Sequence, residues 1–305
     1  MNPLKAAVPV THWPVASPAY TGYVLFMSFM VTVFNSLDRT IVSVLVDDIR
    51  ADLGLDDRQI GFILGFAFVL VHFIATVPFA RLADRWSRPR VMAIGLFSWS
   101  VMTALCGMAQ NFLQLAVARM GVGIGEAAGG PPGQAMIAEY VAPEKRGKAM
   151  SLVTVGGLTG LALGVVYGGW AAQAMGWRFA LVSAGLAGVV FALLFWLTVA
   201  DRRSHASGSH QDQQLLSTLK QLSSDRVYVL LVLGACAVCT GSYGRVLWEP
   251  TFLRRVFDMS AAEAGAWYFF ISPAPSALGA VLSGMIIDRL SHRDPRWYAL
   301  SLIHI

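Results

Sequence analysis

Charged residues are scarce in this chain of 305 residues. Asp, Glu, Lys and Arg together make up 13% of it, whereas apolar types make up 56%. Soluble domains carry about 25% charged residues, so this composition argues strongly against a soluble globular enzyme. It also excludes a disordered chain, which needs low hydrophobicity. The composition therefore predicts an all-α polytopic membrane protein.

Sequence signals of catalysis and of nucleic-acid binding are also missing. No P-loop is present, which argues against ATP-driven pumping. No nucleophile with a base and no metal-binding cluster is evident, which argues against a membrane-embedded enzyme. No basic stripe with interleaved aromatic residues points to nucleic acid. We therefore expect no enzyme, no metal and no cofactor. Cys106, Cys236 and Cys239 lie in apolar runs and are expected to pack between helices.

Eight apolar runs are long enough to span a bilayer, which takes about 20 residues. Six of them fall in residues 1–200, which we predict to form an N-terminal six-helix bundle. A polar linker, 201–225, precedes an incomplete C-terminal bundle, 226–305, in which a ninth span begins at Arg296. The predicted spans are Tyr20–Val46, Gln59–Ala80, Pro89–Ala109, Phe112–Ile137, Met150–Ala171, Arg178–Ala200, Val227–Glu249 and Ala262–Ile287.

Basic residues give the orientation of these spans. The segments on the N-terminal side of the membrane hold most of the Lys and Arg that lie outside spans. Because cytoplasmic loops are enriched in Lys and Arg, we expect the N-terminus to face the cytoplasm. The net charge of +5 then reflects topology.

A short internal repeat relates the second span to the eighth. Shifting the chain by 204 residues aligns Arg50 with Arg254, Phe66 with Phe270 and other identical pairs. Parallel halves of this kind are a known plan of transporters, with the substrate site between the halves near the midplane.

Several motifs resemble one transporter family. Residues 80–88, ARLADRWSR, are similar to the loop G-x-L-a-D-R-x-G-R of the major facilitator superfamily, with Ala80 and Ser87 where Gly is usual. Finer motifs resemble its spinster-like branch. These are NSLDRT at 35–40, Arg119 followed by GVGIGEA at 121–127, GWR at 176–178 and WEPTFL at 248–253.

The resemblance implies a fold of twelve spans, of which this chain holds eight and a stub. We therefore expect a C-terminally truncated transporter, about two thirds of the family fold. The implied setting is a multi-pass protein, monomeric, in a bacterial inner membrane. The implied cargo is a lipid-like substrate.

Four charged residues lie inside predicted spans one and four. Asp38 and Arg119 each sit about five residues, or roughly 7 Å, outward of their span's midpoint. Glu126 lies near mid-span, two turns from Arg119 on the same face. Since such residues usually face a cavity or a partner, Asp38 and Glu126 are candidate proton-binding carboxylates, with Arg119 moving between them or holding an anion. A static ion pair is the alternative. Arg39 points either into the cavity or into outer-leaflet packing.

Three further sets of residues have two interpretations each. Arg245 and Glu249, four apart in span seven, form a helix pair, or else an outer gate or substrate contact. His72 is a hydrogen-bonded structural histidine or a proton relay. The cytoplasmic-turn charges set topology or, as the resemblance implies, latch an inner gate. This last set comprises Asp84, Arg85, Arg88, Asp288 and Arg289.

The leading functional hypothesis is a secondary active transporter, a symporter or antiporter, coupled to protons. Its substrate would be a small organic anion or an amphiphile, in contact with Arg119 and with the aromatic residues Phe66, Phe68 and Trp248. The alternatives are a nonfunctional fragment and a membrane-embedded enzyme.

Overall fold

The computed structural model describes residues 17–141, 146–201, 222–276, 278–279 and 282. Its regular elements in these ranges are helices, which we number α1 to α9 in chain order. Their bounds are α1 Pro18–Leu53, α2 Asp57–Arg85, α3 Arg88–Met108, α4 Phe112–Glu126, α5 Gly130–Tyr140, α6 Arg146–Met175, α7 Trp177–Thr198, α8 Arg226–Phe257 and α9 Ala261–Ile271.

Six of the described helices are long and apolar enough to cross a membrane: α1, α2, α3, α6, α7 and α8. The predicted fourth span is divided into α4 and α5, and α9 is the start of the predicted eighth. The ninth span, Asp288 and Arg289 lie outside the described residues, as does most of the predicted linker.

Local sequence signals fix the helix ends. Asp56 accepts a hydrogen bond from the backbone N–H of Gln59 at 2.7 Å, and Gln59 Oε1 accepts one from the N–H of Asp56 at 3.0 Å. This reciprocal capping satisfies N–H groups that have no partner in the first turn of α2. Gly54, with φ of 63°, ends α1 in the left-handed conformation that glycine adopts without strain.

Helix α1 is the centre of the structure. It packs most extensively against α6 and also contacts α7, α8 and α9. The segment 40–46 is almost fully buried. The apolar prediction for the first span ended at Val46, but the helix continues to Leu53, because hydropathy marks the lipid-facing length and the last turns of α1 are polar.

The contact between α1 and α6 depends on glycine. Gly156, Gly160, Gly164 and Gly168 recur every four residues and face α1. A Cβ atom at Gly164 would lie 2.6 Å from the carbonyl oxygen of Leu37. Small residues allow helix backbones to approach closely where lipid supplies no hydrophobic drive between helices. The glycine pattern in the fifth span thus places α6 directly against the helix that carries Asp38 and Arg39.

Pro131 and Pro132 lie just after a turn, residues 127–129, that interrupts the predicted fourth span. Prolines have no N–H group and therefore cannot bond the carbonyls one turn earlier. The N–H of Gly129 instead bonds the carbonyl of Glu126 at 2.9 Å, and α5 restarts at Gly130. The break makes Glu126 the last residue of α4.

We predict that Gly164→Ala destabilises the fold by about 1–3 kcal/mol, because the added methyl group must push α6 away from α1. The change is measured as a lower thermal unfolding midpoint of the detergent-purified protein. Gly22→Ala in α1 is the control, since no neighbour lies within 4 Å of its added methyl group. Equal midpoints for the two variants would contradict the close packing.

Candidate functional site

Two ion pairs join α1 to α4. Arg119 Nη1 lies 3.2 Å from Asp38 Oδ2, and Arg39 Nε lies 2.6 Å from Glu126 Oε2. Asp38 is 3%, Arg119 2% and Glu126 1% exposed. The two residues expected at matching depth thus form a pair. Arg39, whose direction the sequence left open, points inward and binds Glu126, so Arg119 does not bridge the two carboxylates.

The two pairs differ in access. The Asp38–Arg119 pair is closed, because the Thr103 hydroxyl of α3 contacts Asp38 Oδ1 while Arg119 holds Oδ2. In the other pair, Arg39 keeps 27% of its side chain exposed, and Glu126 Oε1 is buried without a partner among the described residues. The first pair is suited to anchoring helices. The second is suited to exchanging partners.

Phe68 lies beneath both arginines. Its ring is buried, and the guanidinium carbons of Arg39 and Arg119 each lie 5.5 Å from the ring centroid. A cation over an aromatic face is attracted by the ring quadrupole. Phe66, which the sequence analysis placed in contact with the substrate together with Phe68, is 63% exposed on the surface of α2. Its contact with a substrate stays a prediction. A π-helical segment, Phe62–Ala67, precedes Phe68 and changes the helix rotation between these two residues.

Close helix contacts hold Glu126 and Phe68 in place. A Cβ atom at Gly125 would lie 2.7 Å from the backbone nitrogen of Trp99 in α3, and one at Gly123 would lie 2.8 Å from the carbonyl oxygen of Phe68. The G-x-G-x-G run around Glu126 therefore lets α4 touch α3 and α2 at once. This close packing positions the site.

A cavity of ≈ 190 Å³ opens beside the Arg39–Glu126 pair. Its lining comes from α1, α2, α3, α5 and α6, from the end of α4 and from the break between α4 and α5. The polar side chains on its wall are Ser28, Thr32, Asn35, Arg39, His72, Thr76, Glu126 and Gln134. His72 donates from Nδ1 to the carbonyl oxygen of Gly123 at 3.1 Å and stacks on Phe68 at 5.8 Å.

Arg245 and Glu249 lie apart from this cavity's lining. Their side chains approach to 3.5 Å within one turn of α8, with Arg245 53% exposed. This is the helix pair that their spacing predicts. Their role in a gate or in substrate contact stays a prediction.

Arg88, at the turn between α2 and α3, contacts two carboxylates. Arg88 lies 3.1 Å from Asp84 Oδ1 and 2.5 Å from Glu139 Oε1 of α5. Arg85 is exposed in the last turn of α2. The sequence analysis missed Glu139, a single acidic residue at the end of an apolar run, although its isolation there was a usable signal.

A second set of ion pairs was also missed, at the other end of α1. Arg254 of α8 makes a two-pronged contact with Asp48, at 2.8 and 3.2 Å, and donates to the carbonyl oxygen of Val44 at 2.9 Å. Arg255 reaches Asp47 at 2.9 Å and Asp57 at 2.8 Å. The opposite charge doublets at the ends of spans one and seven were the available signal.

Metal chemistry finds no support in the described part of the chain, where no three His, Cys, Asp or Glu side chains are grouped to hold an ion. The site is instead a set of compensated charges beside a cavity that has polar side chains on its wall. Charges placed in this way inside a span usually face a cavity or a partner.

Comparisons with known proteins identify the fold and the relatives. A bacterial homologue of the human lysosomal transporter spinster, solved in an inward-facing, unoccupied conformation, superposes with a TM-score of 0.78 and 28% identity, over 91% of this chain and 64% of that one. An MFS-type efflux pump of Mycolicibacterium smegmatis is 33% identical over 97% of this chain and 69% of its own length. A probable galactarate/D-glucarate transporter of Bacillus subtilis is 25% identical, over 88% and 65%.

These relatives are named as transporters, and the resemblance to spinster proteins is confirmed. The chain spans about two thirds of their length. A family model described as Major Facilitator Superfamily matches residues 28–305. The predicted all-helical transporter fold is therefore confirmed. The chain is an integral multi-pass membrane protein rather than an enzyme. It belongs to the Major Facilitator Superfamily.

Proposed function

We propose that the chain belongs to a proton-coupled secondary transporter of a small organic anion. The observation that carries the proposal is the Arg39–Glu126 pair on the wall of the cavity. The efflux-pump and sugar-acid names of two relatives are compatible with it but differ in substrate and direction.

The coupling follows from charge compensation. With both carboxylates ionised, the charges of Asp38, Arg39, Arg119 and Glu126 cancel. Protonation of Glu126 removes the charge that holds Arg39 and leaves the site with one net positive charge. The released guanidinium then binds an anionic group of the substrate, in the planar, multiply bonded geometry that arginine favours. A proton and an anion therefore bind together.

The closed Asp38–Arg119 pair supports this exchange without taking part in it. Both oxygens of Asp38 are engaged, and each side chain is at most 5% exposed. Removing one partner of such a pair leaves an uncompensated buried charge, which costs about 3–5 kcal/mol. The pair thus keeps α1 and α4 in register while Glu126 and Arg39 change partners.

Alternating access requires that the two ends of the molecule open in turn. Arg254 and Arg255 join α8 to the end of α1 farthest from its N-terminus, while the cavity extends toward the N-terminal end of α1. With the N-terminus in the cytoplasm, this arrangement is an inward-open state with a closed outer rim. Opening outward must break the contacts at Asp47 and Asp48.

We predict that Glu126→Gln abolishes the stimulation of uptake by a pH gradient, because the amide keeps the shape of the side chain but cannot exchange a proton. Uptake of radiolabelled gluconate, hexanoate and lactate is measured in reconstituted vesicles with and without the gradient. Glu263→Gln is the matched control, since Glu263 caps α9 on the rim. A gradient effect that survives in Glu126→Gln would remove this residue from the coupling mechanism.

We predict that Arg254→Ala shifts the protein toward the outward-open state by about two- to fivefold, the effect of losing one partly exposed ion pair. The measure is the rate at which a maleimide labels Thr32→Cys, on the cavity wall, after the native cysteines are replaced. We expect slower labelling from the cytoplasmic side. Arg58→Ala, which alters an exposed rim cation, should leave the rate unchanged. Equal rates in both variants would argue against the outer contact as a gate.

A further inference from the structure

The hydroxyl groups on the cavity wall already donate hydrogen bonds to backbone carbonyl oxygens. Ser28 donates to the carbonyl oxygen of Val24 at 2.8 Å, Thr32 to that of Ser28 at 3.1 Å, and Thr76 to that of His72 at 2.7 Å. A hydroxyl has one proton but two lone pairs. Toward the cavity, these three side chains therefore offer acceptors and no donors.

His72 adds an acceptor to the same wall. The carbonyl oxygen of Gly123 can only accept, so His72 Nδ1 carries the hydrogen of that 3.1 Å bond and Nε2 of the neutral ring is left as an acceptor. Acceptors that meet no donor in the cavity favour a ligand that brings donors of its own.

Fewer side chains on the wall can donate a hydrogen bond than can accept one. Arg39 supplies a guanidinium, and Asn35 and Gln134 supply amides, which donate and accept equally. The four charges around the site cancel when Glu126 is ionised and leave one net positive charge when it is protonated, so in neither state does the wall attract a full positive charge from the ligand. Neutral donors, which are hydroxyl groups, fit it better than an ammonium group.

We propose that the cavity binds the hydroxyl-bearing end of an organic anion, with the hydroxyl groups on Ser28, Thr32, Thr76 and His72 and the acidic group on Arg39. The inference that the ligand is an anion rests on the proposed function. The inference that it carries hydroxyl groups rests only on the acceptors of the cavity wall.

The size of the cavity limits this ligand. Pockets for drug-sized molecules measure about 300–1,000 Å³, whereas this one measures ≈ 190 Å³. It takes a small hydroxy acid or the head group of a lipid whose acyl chain stays outside. Both ligands present hydroxyl groups beside an acidic group, and the probes are chosen to distinguish the free acid from the lipid.

Binding is tested by calorimetric titration of the purified chain at fixed pH, with probes in matched pairs. Gluconate and hexanoate have six carbons and one carboxylate each but differ in their hydroxyl groups. Lysophosphatidylglycerol and lysophosphatidylmethanol form the equivalent lipid pair. We expect the member with more hydroxyl groups to bind at least about tenfold more tightly in one pair, which identifies the source, since each added hydrogen bond contributes about two- to tenfold.

Variants link this preference to the wall. Thr32→Val and Thr76→Val keep the side-chain shape and remove one acceptor each, so each should weaken the preferred ligand by about two- to tenfold while leaving its hydroxyl-poor partner unchanged. Thr154→Val is the control, because Thr154 makes the same kind of backbone bond, to Met150 at 3.3 Å, on the exposed side of α6.

Three outcomes decide the proposal. No preference for the hydroxylated member in either pair overturns it, and so does a preference that Thr32→Val and Thr76→Val leave intact. N-methylglucamine, a polyol with an ammonium group in place of the carboxylate, separates the two parts. If it binds as tightly as gluconate and the variants weaken it, the hydroxyl site stands and the anion proposed above fails.

Discussion

Enclosure of four charges in an apolar bundle, three of them buried and Arg39 partly buried, is the constraint on which the structure depends. Lipid and packed side chains offer no water to an ionised group, so each charge requires a protein partner. Asp38 takes Arg119, and Arg39 takes Glu126, so that two neighbouring residues of α1 reach two positions of α4 seven residues apart. Pairing therefore fixes the position of α1 along α4. The requirement that stabilises the bundle also builds the site.

Helix α1 connects this site to the ion pairs that Asp47 and Asp48 make with α8. Asp38 and Asp48 lie ten residues apart on one continuous helix, a distance of about 15 Å along its axis. The glycine-lined contact with α6 holds the same helix from the side. A change of partner at Arg39 thus acts on a rigid element whose far end is bound to α8. The Arg39–Glu126 pair and the ion pairs at Asp47 and Asp48 are therefore joined by a single continuous helix.

The sequence predicted what depends on composition and axial spacing. Span lengths and the depth of Asp38 and Arg119 follow from the rise per residue, which is the same in every helix. The rotation of each helix about its own axis could not be predicted in this way. Whether Arg39 or Arg119 reaches Glu126 depends on how α4 is turned against α1, and that angle is set by glycine contacts with α2 and α3. The Arg88–Glu139 and Arg254–Asp48 pairs were missed for a related reason, since each joins residues far apart in sequence.

The interruption at residues 127–129 has a mechanical consequence. It divides the fourth span into two helices joined by a three-residue turn, with Glu126 on α4 and Glu139 on α5. Helix α5 is tied to the turn between α2 and α3 through Arg88. A displacement of that turn would therefore act on α5 directly, and on the charges of α4 only across the interruption.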